Sequence, residues 1–264
     1  MKLGIVMPVV LQNDILLRTT LEAVGHLRSR HAAKLYVVSN RLQVCAPDRL
    51  QSVLNQHFSG EAQLLHDPGV ERSVAGAWNH GCAVALTGNP DYLAIVANDT
   101  RLCDNCLDQL VEYGERNEAD LWSGISFNDR VEIDPREVTA GADFTCFMIR
   151  PRTLCEHGWF DPNYRPAYFE DNDYYGRVVL GGGQCRVVHA AQFFHHGSMT
   201  VRQDAEMAHH VQYWFEKNRA YFQAKWGVSQ PENSPEGILR RYHRHPFNDT
   251  TKPLQWFPVN SPVA

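Results

Sequence analysis

Apolar segments of strand length alternate with amphipathic segments of helix length over residues 1–100, and this alternation constrains the fold more than any other feature. Four segments have apolar centres with polar residues mainly at their ends, as strands buried on both faces do: LGIVMPV, KLYVVSN, AQLLHDP and DYLAIVANDT. The segments between them carry apolar residues at helical spacing, as in DILLRTTLEAVGHLRS. Buried strands separated by helices predict an open, mostly parallel sheet with helices on both faces, which is an α/β fold.

The ends of these strands are where a ligand is expected. In an open α/β sheet, ligands bind beyond the carboxyl ends of the parallel strands. This rule selects residues at four strand ends: Pro8 and Val9, Ser39 and Asn40, His66 and Asp67, and Asn98 with Asp99 and Thr100.

The pattern changes after about residue 119. DLWSGISF and DFTCFMIR read as strands, residues 170–180 as a short helix, and QCRVVHAAQFFHH as a pair of strands. Residues 202–226 predict one long amphipathic helix whose many aromatic residues are expected to pack rather than to stack on sugars. The tail from Gly227 onward is rich in proline and asparagine and is expected to run over the surface.

Composition excludes several classes of protein. The chain has 264 residues, of which 44% are hydrophobic, so it can bury a substantial core. A net charge of -5 and a pI near 6.2 argue against a surface that binds nucleic acid or anionic membrane as a whole. No apolar run approaches the ~20 residues of a membrane span, and the N-terminus lacks a signal-peptide pattern. Seven scattered cysteines indicate reduced thiols, so we expect a soluble, cytoplasmic protein.

The segment YFEDNDYYGR gathers three carboxylates, Glu170, Asp171 and Asp173, among four aromatic rings. Crowded carboxylates beside apolar surface require a cation, a bound proton or open water. A solvated acidic helix start is one interpretation. Taken alone, Asp99 is explained equally well as a helix cap, and the histidine pair His195 and His196 as structural. All three groups nevertheless fall at the expected ligand edge of the sheet, which favours a site.

These residues resemble the family-2 glycosyltransferases of the GT-A fold, and the resemblance covers roughly residues 2–227. Four passages carry it: IVMPV as the first strand, GVERSVAGAWNHG as the glycine-to-asparagine helix, ANDT as the short acidic metal motif, and GWFDPNYRPAYFEDNDYYGR followed by HHGSMT. The last two passages are the specific ones. The resemblance implies a Rossmann-like, mostly parallel sheet flanked by helices, with a C-terminal helix and an extended tail.

The resemblance also implies boundaries within the chain. Residues 1–227 would form the glycosyltransferase domain and residues 228–264 a C-terminal tail. Within the domain, residues 1–100 would bind the nucleotide sugar, residues 101–200 would contain the acceptor and catalytic half, and residues 201–227 would be the C-terminal helix.

Transferred by position, the family's chemistry assigns a role to each polar group. Asp99 would ligate Mn²⁺ or Mg²⁺, His195 would be the second metal ligand, and His196 would be its alternative. Asp171 would be the base that takes the acceptor's proton, with Glu170 as the alternative base. Asp173 is expected to orient the helix or a neighbouring arginine. One displacement with one base implies inversion at the anomeric carbon.

The donor side of the site follows from the same resemblance and departs from it at one position. Ser39 stands where the family has an aspartate, and Asn40 follows it, so both groups would bind the nucleobase side without charge. The identity of the base therefore stays open, uridine or otherwise. Arg72 is either a contact to the diphosphate or ribose, or a surface arginine. The remaining expected donor contacts are Pro8, Val9, Asn79 and Asn98.

Other functions remain as alternatives. A sugar-nucleotide pyrophosphorylase needs a glycine-rich basic loop after the first strand, and MPVVLQND has neither glycine nor positive charge. A nicotinamide dehydrogenase needs G-x-G-x-x-G at the same place, which is absent. A non-catalytic carbohydrate- or nucleotide-binding relative of the fold remains an alternative, because a fold can persist without its chemistry.

If the resemblance holds, the acceptor stays open between a glycan, a small molecule and a hydroxylated base in modified DNA. A local basic patch near the C-terminus (Arg240, Arg241 and Arg244, in ILRRYHRHPF) fits an anionic acceptor. A solvated helix end explains the same residues.

Overall fold

The computed structural model describes residues 1–127, 134–197 and 205–226. Its strands are β1 (Lys2–Leu11), β2 (Ala32–Leu42), β3 (Glu61–His66), β4 (Tyr92–Val96), β5 (Thr100–Leu102), β6 (Leu121–Ser126), β7 (Val138–Ala140), β8 (Cys146–Ile149) and β9 (Cys185–His195). Its helices are α1 (Asp14–Gly25), α2 (Pro47–His57), α3 (Val74–Leu86), α4 (Cys106–Arg116), α5 (Pro151–His157), α6 (Glu170–Leu180) and α7 (Ala205–Trp226).

The strands form one mixed, mostly parallel sheet in the order β3-β2-β1-β4-β8-β6-β9-β5, with β7 paired to β9. The strands β3, β2, β1, β4, β6 and β9 run in one direction, and β5, β7 and β8 run in the other. Because β8 is antiparallel, its amino end lies at the same edge as the carboxyl ends of its neighbours. The predicted α/β fold with helices around a mostly parallel sheet is confirmed.

The sheet separates two apolar cores, as strands buried on both faces require. On one face, α1, α2 and α4 pack on side chains such as Ile5 and Met7 of β1. On the other face, α3, α5 and α6 pack on Val6 of β1 and on Leu93 and Ile95 of β4. Apolar residues therefore fill both faces of the same strand, which explains why these strands are apolar throughout.

The helix starts are fixed by residues that the sequence places there. Asn13 caps α1 by accepting a hydrogen bond from the Leu16 N–H at 3.0 Å, and Ser73 caps α3 by accepting one from the Gly76 N–H at 3.1 Å. Gly81 lets α3 lie directly on the sheet, because a Cβ there would stand 2.3 Å from Val6 Cγ1. These contacts hold the caps of α1 and α3 near the carboxyl edge of the sheet.

Several sequence expectations were wrong in detail. Residues 185–195 form the single strand β9, because the segment contains none of the Gly, Pro, Asn or Asp residues that reverse a chain. Its register against β6 shifts between Ser123 and Ile125, so β9 carries extra residues there instead of turning. Pro8 and Val9 lie inside β1, which continues to Leu11.

The C-terminal helix packs as expected over the part that is described. Phe222 and Trp226 of α7 form a third buried cluster with Tyr164 and Phe169, whereas Tyr213 is exposed. Residues 202–204, the tail 228–264 and the basic patch within it lie outside the described residues. Across the described part of the chain, no helix combines the length and apolarity of a membrane span.

Candidate active site

Asp99 and His195 meet at the carboxyl edge of the sheet. Asp99 lies in the turn between β4 and β5, and the pairing of Thr100 with His195 brings β9 alongside that turn. The two side chains are in contact, with His195 Nε2 3.2 Å from Asp99 Oδ1. Asp99 is 8% exposed and His195 is half-buried. The predicted acidic and histidine motifs are therefore adjacent in space.

The environment of His195 favours a proton on its ring in the absence of a cation. Burial would lower the pKa of His195, but the hydrogen bond to Asp99 and the charges of Asp99 and Asp143 outweigh burial and raise that pKa. A proton and a divalent ion compete for the same ring nitrogen. The negative charges that stabilise the imidazolium would equally stabilise a bound cation.

His196 has a different environment from His195. Its backbone N–H donates to the Asp99 carbonyl oxygen at 3.0 Å, which fixes the turn. Its ring packs edge-to-face on Phe194, with ring centroids 4.9 Å apart. Of the two histidines named from the sequence, His195 is the one whose ring contacts Asp99.

Asp143 belongs to the same edge and was missed by the sequence reasoning. Its carboxylate accepts hydrogen bonds from Ser126 Oγ at 2.7 Å and from the Thr145 N–H at 2.9 Å. Its charge helps to raise the pKa values of both His195 and Asp171, so it lies within electrostatic range of both. Asp143 precedes β8, and only the antiparallel direction of β8 brings that loop to the carboxyl edge of the other strands. An apolar run alone does not reveal strand direction.

The first turn of α6 holds the acidic trio, and its three carboxylates occupy three environments. Asp171 is half-buried and accepts a hydrogen bond from the Asn172 N–H at 2.8 Å. Burial raises the pKa of Asp171, with a further contribution from Asp143, while backbone N–H groups at the helix start oppose the shift. Such a carboxylate is a better proton acceptor than an ordinary aspartate, and its partial exposure leaves it accessible.

Of the two candidate bases, Asp171 and Glu170, the side chain of Glu170 is the more buried. It is 6% exposed, and its Oε2 atom has no hydrogen-bond partner among the described residues. Burial, together with the charge of Asp171, holds the pKa of Glu170 well above its usual range. The pKa of Glu170 is therefore held further above its usual range than that of Asp171, which makes Glu170 the more easily protonated of the two.

Asp173 is fully buried and paired inside the protein. It bonds Arg177 Nε at 3.0 Å, Lys225 Nζ at 2.5 Å and Trp226 Nε1 at 2.9 Å. The expectation that Asp173 orients the helix or a neighbouring arginine is confirmed by its contact with Arg177. The three neighbouring carboxylates therefore have three different environments, and within the described residues only Asp173 is paired with buried cations.

The carboxyl ends of β1, β2 and β3 present buried polar atoms without partners in the described structure. Ser39 is fully buried and pairs in register with Val9 and His66. Asn40 is the extra residue where the register of β2 against β1 shifts. Four atoms share the lack of a partner within the described residues: Gln12 Oε1, Ser39 Oγ, Asn40 Oδ1 and His66 Nδ1. Buried polar atoms of this kind favour a polar ligand at this edge.

Arg72 lies near the same edge, before α3. One Nη atom of Arg72 bonds Asp67, and the other is buried without a partner among the described residues. Asp67 also lies 3.7 Å from His80 Nε2. Burial and the Arg72 charge lower the pKa of His80, in spite of the opposing charge of Asp67. Arg72 is therefore a partly buried arginine with donor capacity remaining, not a surface arginine.

Asn98 and Asn79 are both engaged within the protein. Asn98 Nδ2 donates to Thr20 Oγ1 at 2.9 Å, which fixes its side chain against α1. Asn79 Nδ2 donates to the Phe160 carbonyl oxygen at 2.7 Å, and Asn79 Oδ1 accepts from the Phe160 N–H at 3.0 Å. Because Asn79 is 3% exposed and both ends of its amide are bonded, we do not include it in the proposed donor site.

Asp99 and His195 fit a divalent cation whose remaining coordination positions are filled by a bound substrate or by water. Asp99 offers a carboxylate oxygen and His195 an imidazole nitrogen. Mn²⁺ accepts both kinds of ligand atom, whereas Mg²⁺ prefers oxygen. Within the described residues, a group of three potential metal ligands occurs at Asp120, Glu156 and His157, at the opposite end of β6. A cation at Asp99 would therefore need further oxygens from substrate or water.

Comparison with solved structures identifies the fold. The mannosyltransferase PcManGT from Pyrobaculum calidifontis, in complex with GDP-Man and Mn²⁺, matches with a TM-score of 0.58 at 12% identity, over 93% of this chain and 69% of that one. S. aureus TarS matches with a TM-score of 0.54 at 12% identity, over 92% of this chain. TarS 1–349 in complex with UDP-GlcNAc matches with a TM-score of 0.52 at 12% identity, over 92% of this chain and 72% of that one.

The described part of the chain has the GT-A fold of glycosyltransferases, and these matches cover 92% and 93% of the chain. The chain spans 43% of TarS, so TarS contains much that this chain does not match. No protein-family model matches the sequence, and no curated protein matches it closely enough to count as a relative. The fold is therefore shown by structure, and the chemistry must be argued from the site.

Proposed function

We propose that the protein is a metal-dependent, inverting glycosyltransferase that moves a hexosyl or pentosyl group from a nucleotide diphosphate to an acceptor hydroxyl. The observation that carries the proposal is the convergence of the Asp99–His195 pair and Asp171 at one edge of the sheet, with the charge of Asp143 acting on both. The GT-A fold supports the substrate class. The unpartnered polar atoms at the ends of β1 to β3 support a nucleotide there.

In this mechanism Asp171 accepts the proton of the acceptor hydroxyl. The acceptor oxygen forms a bond to the anomeric carbon as the bond from that carbon to the diphosphate oxygen breaks. The bonding electrons leave with the nucleoside diphosphate, and the proton stays on Asp171. A positioned base contributes roughly 10²–10⁴-fold to such a step. One displacement on the face opposite the leaving group inverts the configuration of the sugar.

Asp99 and His195 would hold the divalent cation, Mn²⁺ or Mg²⁺, with Asn98 beside them. When bound, that ion supplies positive charge for the phosphate oxygens on which negative charge grows. Arg72, whose second Nη atom is available, would donate to the diphosphate or the ribose. Ser39 and Asn40 would bind the nucleobase side through neutral hydrogen bonds, together with the backbone around Pro8 and Val9.

The alternatives differ in what the structure offers them. A sugar-nucleotide pyrophosphorylase would bind a triphosphate in a glycine-rich loop after β1, but here only Gln12 and Asn13 separate β1 from α1. A non-catalytic nucleotide- or carbohydrate-binding relative would keep the polar atoms at β1 to β3. It would have no need for a reachable carboxylate with a raised pKa at Asp171.

The acceptor is proposed by class alone. A glycan or small-molecule hydroxyl fits the mechanism, and a hydroxylated base in modified DNA would use the basic patch, which lies outside the described residues. We propose a cytoplasmic location, because the seven cysteines are all free thiols.

A donor screen tests the proposal. The full chain is incubated with a panel of nucleotide sugars, with Mn²⁺ or Mg²⁺ and with excess EDTA, and transfer and donor hydrolysis are followed by mass spectrometry. We expect consumption of one donor class that EDTA abolishes. Asp99→Ala should abolish it without unfolding the protein, whereas Asp104→Ala, at a carboxylate whose side chain is 88% exposed, should not. Full turnover in EDTA would exclude metal dependence, and nucleotide binding without turnover would favour the non-catalytic alternative.

A further inference from the structure

The turn that leads into α6 has a costly backbone conformation. Tyr168 and Phe169, which directly precede the acidic trio, have φ values of 80° and 75°. Two consecutive non-glycine residues in the left-handed region persist only where the surroundings hold them. The direction in which the first turn of α6 leaves this segment therefore depends on what binds residues 165–169.

Asn218 of α7 binds that segment. It is 2% exposed, and its Oδ1 accepts from the Arg165 N–H at 3.1 Å. Its Nδ2 donates to the carbonyl oxygens of Arg165 at 3.0 Å, Ala167 at 2.8 Å and Tyr168 at 3.3 Å. One buried amide thus spans the backbone just before the left-handed pair. Phe169 is packed beside it against Phe215 of the same helix, with ring centroids 5.1 Å apart.

Lys225, two turns further along α7, binds the other side of the same turn. Its Nζ lies 2.7 Å from Asp161 Oδ2 and 2.5 Å from Asp173 Oδ1, and both carboxylates are fully buried. Asp173 also bonds Arg177, so two buried carboxylates are matched by two buried cations. Removing the Lys225 charge would leave an uncompensated negative charge two residues from Asp171.

We propose that α7 positions the catalytic turn of α6, with Asn218 and Lys225 as positioning residues for Asp171. The inference rests on the proposed function of Asp171 as the base. Asn218 fixes the backbone before Asp171. Lys225 fixes the side chain of Asp173, two residues after Asp171 in the same turn. A base displaced by about 1 Å loses roughly 10²-fold in rate, so loss of either contact should slow the chemical step. Donor binding at the ends of β1 to β3 lies on other elements and should not change.

The test uses Asn218→Ala, Lys225→Met and Lys225→Arg, with Lys217→Met as the matched control. Lys217 is an exposed lysine of the same helix. For the first two variants we expect kcat to fall by roughly 10–100-fold while the donor KM and the Kd of the nucleoside diphosphate stay within about twofold. Lys225→Arg keeps the charge and should lose less than Lys225→Met. A thermal unfolding curve for each variant checks that it is folded at the assay temperature.

A second measurement does not depend on activity. Hydrogen exchange followed by mass spectrometry should show faster exchange, by about tenfold or more, in peptides from the first turn of α6 in Asn218→Ala and Lys225→Met. Peptides from β1 and α3 should be unchanged in both variants. If Lys225→Met does not fold, Asn218→Ala carries both measurements.

The outcomes separate the inference from the proposed function. Unchanged kcat in folded variants, or unchanged exchange at α6, overturns the positioning roles. A parallel loss of nucleotide binding also overturns them, because the effect would then be general. If Asp171→Asn transfers sugar normally while exchange at α6 still rises, the proposed base is wrong and the catalytic part of the inference falls with it.

Discussion

Replacing Glu170 and Asp171 of α6 one at a time separates the proposed base from its buried neighbour. Asp171→Asn keeps the shape of the side chain but cannot accept the acceptor's proton. We expect transfer to fall by roughly 10²–10⁴-fold, which corresponds to about 2.7–5.4 kcal/mol of transition-state stabilisation. Glu170→Gln replaces a buried carboxyl group whose pKa is held well above its usual range, so the change removes little proton-accepting capacity and transfer should fall by less than about tenfold.

The pH dependence follows from the same two environments. Burial raises the pKa of Asp171, and the base acts only when deprotonated, so transfer should rise with pH through that raised pKa. For Glu170, the folded pKa is also raised, so its contribution to stability is complete below its unfolded pKa and is lost as pH rises through its folded pKa. Glu170→Gln should therefore increase the free energy of unfolding at neutral pH and make it less dependent on pH.

The assay is the initial rate of transfer at saturating donor across a range of pH, paired with urea unfolding at acidic and neutral pH. Asp14→Asn is the control, because Asp14 is an exposed carboxylate in the first turn of α1. If Glu170→Gln cripples transfer and Asp171→Asn is mild, the base is Glu170. If both variants retain more than about a tenth of the activity, neither carboxylate acts as the base.

Four further predictions address the metal, the donor, the fold and the acceptor. His195→Ala should raise the Mn²⁺ concentration needed for half-maximal transfer by at least roughly 10-fold, whereas His196→Ala should change it by less than twofold; equal effects would contradict the assignment. Arg72→Gln should raise the donor KM by about 10-fold or more with little loss of kcat, and an unchanged KM would remove Arg72 from the site. Asn79→Ala should lower the free energy of unfolding by about 2–3 kcal/mol in urea titrations, because the Phe160 N–H and carbonyl lose their partners; a normal value would refute this structural role. Replacing all three arginines of the basic patch by glutamine should raise the acceptor KM and flatten its salt dependence while donor hydrolysis stays near normal; equal falls in hydrolysis and transfer would instead place the patch at the donor.

The sequence predicted the elements of the first half because their periodicity is set by burial. Strands such as β1 and β4 are buried on both faces, so their apolar runs identify them without knowledge of the partner strands. The same pattern carries no strand direction, which is why the place of Asp143 at the active edge was not predicted. The long strand β9 was taken for a pair although its segment contains no chain-reversing residue, and the register shift that accommodates its extra residues against β6 leaves no signal in the sequence.

Individual roles were less predictable than locations. Asp99 and His195 were placed from motifs, and the structure brings them together. Asn79 was assigned to the donor by position, but its amide is bonded at both ends to Phe160. Whether a polar side chain in a helix faces a ligand or a neighbouring loop depends on that loop's path, which local sequence does not specify. The contacts of Lys225 with Asp161 and Asp173 depend likewise on residues about fifty or more positions away.

Three carboxylates within four residues of α6 avoid mutual repulsion because each resolves its charge differently. Asp173 is paired with buried cations, burial shifts the pKa of Glu170 upward and so favours its protonated form, and partial exposure and the backbone N–H groups of the helix start favour the charged form of Asp171. If Asp173 were unpaired or Glu170 ionised, the added negative charge would raise the pKa of Asp171 further and leave less of it deprotonated at neutral pH. The pairing of Asp173 and the raised pKa of Glu170 would therefore keep Asp171 usable as the proposed base, and the α7 contacts to Asp173 bear on the proton affinity of Asp171 as well as on its position.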